Sequence, residues 1–219
     1  MLEVRQLCKS YGGRQALAPA SFVLPPGQCL GLAGSNGSGK STLLRLMAQI
    51  ERPDGGDILW EGRSMLGDRS FLRKELGYVP QSAQLAEELT VRQQLTLWQS
   101  ACGQSGPAPE EIVELLGLEP LLKKRVGTLS GGTAQRVSIA LALMTRPRIL
   151  LMDEATAGLD QEYVPRLLDW LEGIYLPKGG SLVWCSHHQT ELDRLCGAVL
   201  RLEQGKLLKL PCAVGDTVY

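Results

Sequence analysis

Gly34-Ser35-Asn36-Gly37-Ser38-Gly39-Lys40-Ser41 is the stretch from which the rest of this chain is read. It fits the pattern G-x-x-x-x-G-K-[ST], and its surroundings fit as well. The preceding Cys29-Leu30-Gly31-Leu32-Ala33 is nearly continuous in apolar residues, as in a strand covered on both faces. After Lys40, apolar residues at Leu43, Leu44, Leu46, Met47 and Ile50 form a helical stripe. A glycine-rich loop between a strand and a helix start suits phosphate for direct reasons. Glycines let successive backbone N–H groups converge on phosphate oxygens. The helix N-terminus adds unpaired N–H groups and a favourable dipole. Lys40 brings a positive charge to the β- and γ-phosphates, and Ser41 offers an oxygen to Mg²⁺. The alternative is a Gly/Ser loop that only turns the chain; the strand–loop–helix context favours nucleotide binding.

Three further apolar runs lack alternation: Leu76-Gly77-Tyr78-Val79, Ile149-Leu150-Leu151-Met152 and Leu182-Val183-Trp184-Cys185. Together with residues 29–33 they predict a parallel sheet with helices on both faces. Ligands of such sheets bind outside the C-terminal strand ends. Asp153 and Glu154 follow the third run, Pro80-Gln81 the second here, and Ser186-His187-His188 the last. Asp153 is placed to hold Mg²⁺, and Glu154 to orient or deprotonate an attacking water. Solvated loop acids are the plain alternative for this pair, and it weakens with the phosphate loop upstream. Lys40, Gln81, Glu154 and His187 therefore converge on one sheet edge. Of the two histidines, His187 is preferred as a γ-phosphate contact.

Between residues 82 and 145 no clear strand is visible. Short helices are expected at Val91–Ala101, Pro109–Leu116 and from Gly131 to about Thr145, ended by Arg146-Pro147, with a linker at Gly103-Gln104-Ser105-Gly106-Pro107. A further helix is expected near Tyr163 to Ile174. The first ~60 residues read as β-rich, with turns at Gly12-Gly13, Pro25-Pro26-Gly27 and Asp54-Gly55-Gly56. Leu129-Ser130-Gly131-Gly132-Thr133 opens the third of the inserted helices: Ser130 can cap it, and the glycines let an anion approach the exposed N–H groups. An ordinary cap is the alternative. A helix over 131–145 spans roughly 22 Å, so its start is expected far from Asp153 and Glu154. An anion site there would face a nucleotide held by another chain.

Composition narrows the class. In 219 residues, 23 Lys and Arg balance 23 Asp and Glu, which leaves no electrostatic footprint for nucleic acid. With 44% hydrophobic and 21% charged residues the chain is an ordinary globular one. No stretch approaches the ~18–20 apolar residues that span a bilayer, and the N-terminus does not read as a secretory signal. The six cysteines form no Cys-x-x-Cys pair and suit small buried hydrophobes better than disulfides or zinc. The tail after Lys209 shows no recognisable regulatory domain.

At this point the sequence resembles the ATP-binding-cassette (ABC) ATPases over essentially its whole length. The elements match in order: an aromatic candidate, Tyr11; the Walker A loop Gly34–Thr42; Tyr78-Val79-Pro80-Gln81; the signature Leu129-Ser130-Gly131-Gly132-Thr133-Ala134-Gln135-Arg136; Walker B and the following loop, Ile149–Asp160; and His187. The resemblance implies an α/β fold: a P-loop NTPase core with an N-terminal antiparallel β-subdomain and an inserted α-helical subdomain. The chain would be a single domain over 1–219, with core 1–81 and 146–219 and helical part about 82–145. It implies that Tyr11 stacks on adenine, and that Gly34, Ser35, Asn36, Gly37, Ser38, Gly39, Lys40, Ser41 and Thr42 bind ATP. Ser41, Gln81 and Asp153 would hold Mg²⁺. Glu154, His187 and Gln81 would serve hydrolysis. Ser130, Gly131 and Gly132 would bind the ATP of a facing second subunit. Ala157-Gly158-Leu159-Asp160 would cross the dimer interface. Thr133 stands where the family's signature carries glutamine, and Ala155 where a proline is frequent.

The implied function is an ATP-hydrolysing subunit that dimerises around two ATP and powers translocation by a separate integral-membrane permease. It would lie in the cytoplasm, peripheral to the inner face of the membrane. Two other classes compete. Soluble ABC proteins of ribosomes carry two cassettes per chain, and those of DNA repair insert long coiled coils; here residues 43–128 show no sustained heptads. A P-loop kinase would lack Leu129–Thr133 and His187.

Overall fold

The computed structural model describes residues 1–103 and 109–209. Most of the expected linker and everything after Lys209 lie outside the described residues. The strands are β1 (Leu2–Tyr11), β2 (Arg14–Leu24), β3 (Cys29–Ala33), β4 (Gly55–Trp60), β5 (Arg63–Ser64), β6 (Leu76–Val79), β7 (Ile149–Asp153), β8 (Ser181–Cys185), β9 (Ala198–Glu203) and β10 (Lys206–Lys209). The helices are α1 (Lys40–Met47), α2 (Arg69–Glu75), α3 (Val91–Ala101), α4 (Glu110–Leu115), α5 (Gly131–Leu143), α6 (Tyr163–Trp170) and α7 (Gln189–Leu195). Helix α6 continues as a π-helical turn over Leu171–Tyr175.

Two sheets result. An antiparallel sheet has the order β2-β1-β4-β5, and a six-stranded sheet has the order β10-β9-β3-β8-β7-β6. In the second, β9, β3, β8, β7 and β6 run parallel and only β10 is antiparallel. The fold is therefore the expected one: α/β, with an N-terminal antiparallel sheet and helices inserted between β6 and β7. Among the described residues no strand lies between those two.

The unbroken apolar runs now have a cause. Successive side chains on a strand point to opposite faces, and here both faces are covered. Ile149 and Leu151 of β7 enter one core with Leu43, Leu44 and Met47 of α1 and the antiparallel sheet. Leu150 and Met152 enter a second core with Val137, Ile139 and Leu143 of α5. β8 divides in the same way, Val183 and Cys185 to the first core and Leu182 and Trp184 to the second. Each fully buried Leu or Val contributes roughly 1.5–3 kcal/mol of transfer free energy, so the sheet is held from both sides.

In β1 the buried positions change phase, from Leu2 and Val4 to Leu7. Gln6 takes up the extra residue in a bulge with φ 47°, where Ser21 Oγ accepts its backbone N–H at 2.9 Å. Helix α3 starts in a reciprocal cap: Thr90 accepts from the Gln93 backbone, and the Gln93 side chain accepts from the Thr90 N–H.

One expectation changes. Ile50 does not continue the α1 stripe. The helix stops at Met47, Gln49 turns left-handed at φ 53°, and Ile50 is 59% exposed. Helix α5 packs along β6 and reaches the loops beyond the strand ends at two points. Gln135 Nε2 of α5 donates to the Pro80 carbonyl at 2.9 Å, and Gly132 packs on the Gly158 carbonyl so closely that a Cβ would clash.

Candidate functional site

The phosphate loop is shaped by contacts that only glycine permits. Gly39, the residue before α1, has φ 106°, and a Cβ there would sit 2.7 Å from the Ala16 carbonyl. Gly34 has φ 149°, and a Cβ would run into the Leu202 carbonyl. The turn between β9 and β10 supports the loop from below: the Gly205 N–H donates to the Ser38 carbonyl at 2.9 Å, and the Ala18 N–H donates to the Gly205 carbonyl at 2.7 Å. Ser35, Asn36 and Gly37 at its crest are exposed, whereas Ser38 and Lys40 are buried.

Lys40 Nζ donates to the carbonyls of Gly34 (2.8 Å) and Ser35 (3.1 Å) and lies 3.7 Å from Glu154 Oε1. An ammonium with a 5% exposed side chain, held by two carbonyls and one carboxylate, is poised for an anion of greater charge.

The strand-end convergence is direct. Gln81 Nε2 donates to Glu154 Oε2 at 2.9 Å, and His187 Nε2 lies 2.7 Å from Glu154 Oε1. Residues following β3, β6, β7 and β8 thus meet on one carboxylate. Glu154 itself sits at φ 48°, a left-handed conformation unfavourable for a residue with a Cβ, and its N–H donates to the Cys185 carbonyl at 3.0 Å. Backbone strain at this point turns the side chain off the end of β7 into the space between β6, β8 and the loop.

Asp153 is 2% exposed and leaves Oδ1 without a partner. Burial pushes its carboxyl above the ordinary range, aided by the neighbouring Glu154 charge and opposed by the nearby Ser41 hydroxyl. A buried carboxylate oxygen without a partner, beside a serine at the start of a phosphate loop, is a donor set suited to a hard cation such as Mg²⁺. Among the described residues no group of three His, Cys, Asp or Glu is clustered for a metal, so substrate and water oxygens would have to complete any coordination.

The other expected residues lie around this centre. Tyr11 is exposed at the end of β1, with its hydroxyl bonded to Glu51, which in turn pairs with Arg45 at 2.7 Å. Thr42 is buried in the first turn of α1. Ser130 caps α5, accepting from the Thr133 N–H at 3.3 Å and meeting the Thr133 hydroxyl at 2.8 Å. Ser130 and Gly131 are exposed, and Gly132 is half-buried against Gly158. The structure therefore joins Lys40, Gln81, Glu154 and His187 in one cluster, with Asp153 and Ser41 beside it. Ser130 points its cap outward, and its hydrogen bonds are to its own helix.

Residues 17–157 match the family model described as "ABC transporter". The chain belongs to that family. It is similar to the Nod factor export ATP-binding protein I of Rhizobium sp. (strain N33), 36% identical over 205 residues that cover 91% of this chain and 67% of the relative. It is 30% identical over 214 residues to the linearmycin resistance ATP-binding protein LnrL of Bacillus subtilis (strain 168), covering 96% of this chain and 68% of that one. The chain spans about two thirds of the length of the curated relatives it matches. Among solved structures, an ATP-binding subunit of an ABC transporter superposes with a TM-score of 0.87 at 28% identity, covering 94% of this chain and 88% of the other. A dimeric ATP-binding cassette in a post-hydrolysis state bound to ADP and Pi has the same fold, with a TM-score of 0.89 at 24% identity, covering 99% and 100%. The chain is thus an ATP-binding ABC ATPase cassette.

The sequence reading missed several residues that shape the site. Arg45 and Glu51 hold Tyr11; the Gln204-Gly205 turn holds the loop; Thr156, Ser186 and Glu191 form a buried polar cluster behind Glu154 and His187. No local pattern marks them, because each cluster closes on a partner distant in sequence: Tyr11 for Glu51, Ser38 for Gly205 and Thr156 for Glu191.

Proposed function

We propose that the chain is the motor subunit of a membrane transporter, hydrolysing ATP between two copies of the cassette and driving a separate permease. The observation that carries this is the meeting of Lys40, Gln81 and His187 on Glu154, next to the buried Asp153, whose Oδ1 has no partner.

Lys40 and the backbone N–H groups of residues 34–42 grip the β- and γ-phosphates. Ser41, Asp153 and Gln81 would hold Mg²⁺, whose chemistry there is to neutralise charge developing on the phosphate oxygens. Glu154 accepts the proton of the attacking water as its oxygen bonds to the γ-phosphorus and the bond to the ADP oxygen breaks. Each Glu154 oxygen has two lone pairs, so the bonds to Gln81 and His187 orient the carboxylate and still leave it able to accept a proton. His187, donating from Nε2, fixes one oxygen and stands ready for the γ-phosphate. Tyr11 stacks on the adenine. Ser130 and Gly131, exposed at the α5 tip, and the half-buried Gly132 supply N–H and hydroxyl donors to the γ-phosphate of the facing copy.

A cleft of about 390 Å³ beside Gln81 supports the permease reading. Ser41, Tyr78, Gln81, Asp153, Ile50 and Trp98 are among the residues that line it. Ile50, Leu97 and Trp98 are 59%, 57% and 42% exposed, an apolar surface suited to a protein partner. An occupant there would touch Gln81 and so feel the state of Glu154. Among the described residues no helix is long and apolar enough to cross a membrane, so the translocation path belongs to that partner.

The test is turnover per chain as a function of protein concentration. A site shared by two copies gives a rate that rises with concentration and levels off on dimerisation. Turnover independent of concentration down to nanomolar protein contradicts the shared site.

A further inference from the structure

Glu191 is 6% exposed and lies on none of the motifs that carry the ATPase reading. Its Oε2 accepts three hydrogen bonds: from Ser186 Oγ at 2.6 Å, Thr156 Oγ1 at 3.0 Å and Trp184 Nε1 at 3.3 Å. Thr156 stands two residues after Glu154, and Ser186 stands one residue before His187. The Ser186 hydroxyl, having donated to Glu191, accepts the His188 N–H at 3.0 Å. One buried carboxylate oxygen thus ties down the backbone on either side of the 2.7 Å Glu154–His187 contact. Helix α7, which carries Glu191, is itself seated on β3. A Cβ on Gly31 would lie 3.0 Å from Leu192 Cδ2, so the helix approaches the strand as closely as a glycine allows.

We propose that Glu191 is a positioning residue for hydrolysis, its three-donor bond holding the Thr156 and Ser186 segments so that Glu154 and His187 meet in register. This rests on the reading of Glu154 as base and His187 as its partner. Buried carboxylates keep their place only with hydrogen-bond partners. Here all three come from the flanks of the catalytic strand ends, and none from the helix that bears the carboxylate. Removing the acceptor leaves three buried donors unpaired and frees both segments. The phosphate cradle, built from β3, α1 and the β9–β10 turn, stays intact. A displacement of about 1 Å at reacting groups can cost 10²-fold in rate.

The experiment is steady-state ATP hydrolysis by the full chain, with nucleotide affinity and melting temperature measured on the same preparations. Glu191→Ala is expected to lower kcat ~10–100-fold, with KM and ATP affinity within about twofold of wild type. Glu191→Gln keeps an oxygen in place and is expected to recover most of kcat. In a His187→Ala background, Glu191→Ala is expected to cost much less than it does alone, because the residue acts through the contact already lost. Unchanged kcat in Glu191→Ala well below its melting temperature overturns the proposal, as does an equal loss in both backgrounds. Should Glu191→Ala not fold, Ser186→Ala and Thr156→Val each remove a single donor. A several-fold lower kcat with ATP affinity kept supports the proposal, and unchanged kcat in both overturns it. Glu154→Gln in the same assay separates this from the underlying reading. If Glu154→Gln hydrolyses normally, the base assignment fails; if it is inert while Glu191→Ala is fully active, only the positioning role fails.

Discussion

Two ends of the molecule proposed to face phosphate are built in opposite ways. At the ends of β3, β6, β7 and β8, side chains from four distant segments are drawn into a cluster where Lys40 is buried and Glu154 is bonded on both oxygens. At the start of α5, Ser130 and Gly131 stand exposed, and the cap hydrogen bonds return to Thr133. The first end is complete within one chain. The second offers donors that nothing in the described chain uses, although Gly132 is locked on Gly158 and Arg136 pairs with Asp160 at 3.8 Å. The contrast is what the proposed shared site would need: the cluster on Glu154 is pre-formed, while the α5 tip is held in place against Gly158 with Ser130 and Gly131 facing outward.

Each prediction acts on one end. Glu154→Gln attacks the pre-formed end at its centre. Turnover is expected to fall by about 10²–10⁴-fold, as for loss of a general base, with ATP binding retained and a stable ATP-bound dimer accumulating; normal turnover contradicts the role. Lys40→Ala removes a charge-assisted grip of about 1.5–3 kcal/mol, so ATP affinity measured by titration is expected to fall by roughly 10–150-fold. Affinity equal to wild type would break the cradle reading.

Asp153→Asn sharpens the comparison through stability. Burial raises the Asp153 carboxyl above its ordinary value of 3.8, so folding favours its neutral form. The stabilisation from this group is fully present below the ordinary value and is lost as pH rises through the folded-state value. At neutral pH the nucleotide-free protein therefore holds an unfavourable charge, and Asp153→Asn is expected to raise its melting temperature modestly while abolishing Mg²⁺-dependent turnover. A lower melting temperature at neutral pH would show that the charge is satisfied without a cation.

The pre-formed end was largely legible from the residues. Its loop, strands and acids are contiguous motifs, and unalternated runs such as Ile149–Met152 predict a sheet buried on both faces. Four strand ends on one parallel sheet then force Lys40, Gln81, Glu154 and His187 together. What stayed hidden depends on contacts that no motif spacing marks. Glu191 reads as an acid in the first turn of a short polar helix, and only folding reveals that the distant Thr156 joins Trp184 and Ser186 around it. Strand β9 beside β3 was missed because Ala198–Glu203 is half-exposed and mixed in polarity. Ile50 fitted a helical stripe, but the helix ends three residues before it.

The central claim is that the exposed α5 tip completes a site held by another copy. Its most direct test combines two substitutions, Glu154→Gln with Ser130→Arg, and measures mass in solution and bound ATP together. The account predicts that Glu154→Gln alone is an ATP-bound dimer, and that adding Ser130→Arg leaves each chain with its ATP but as a monomer. A dimer that persists with Ser130→Arg, or ATP lost from the separated chains, would contradict it.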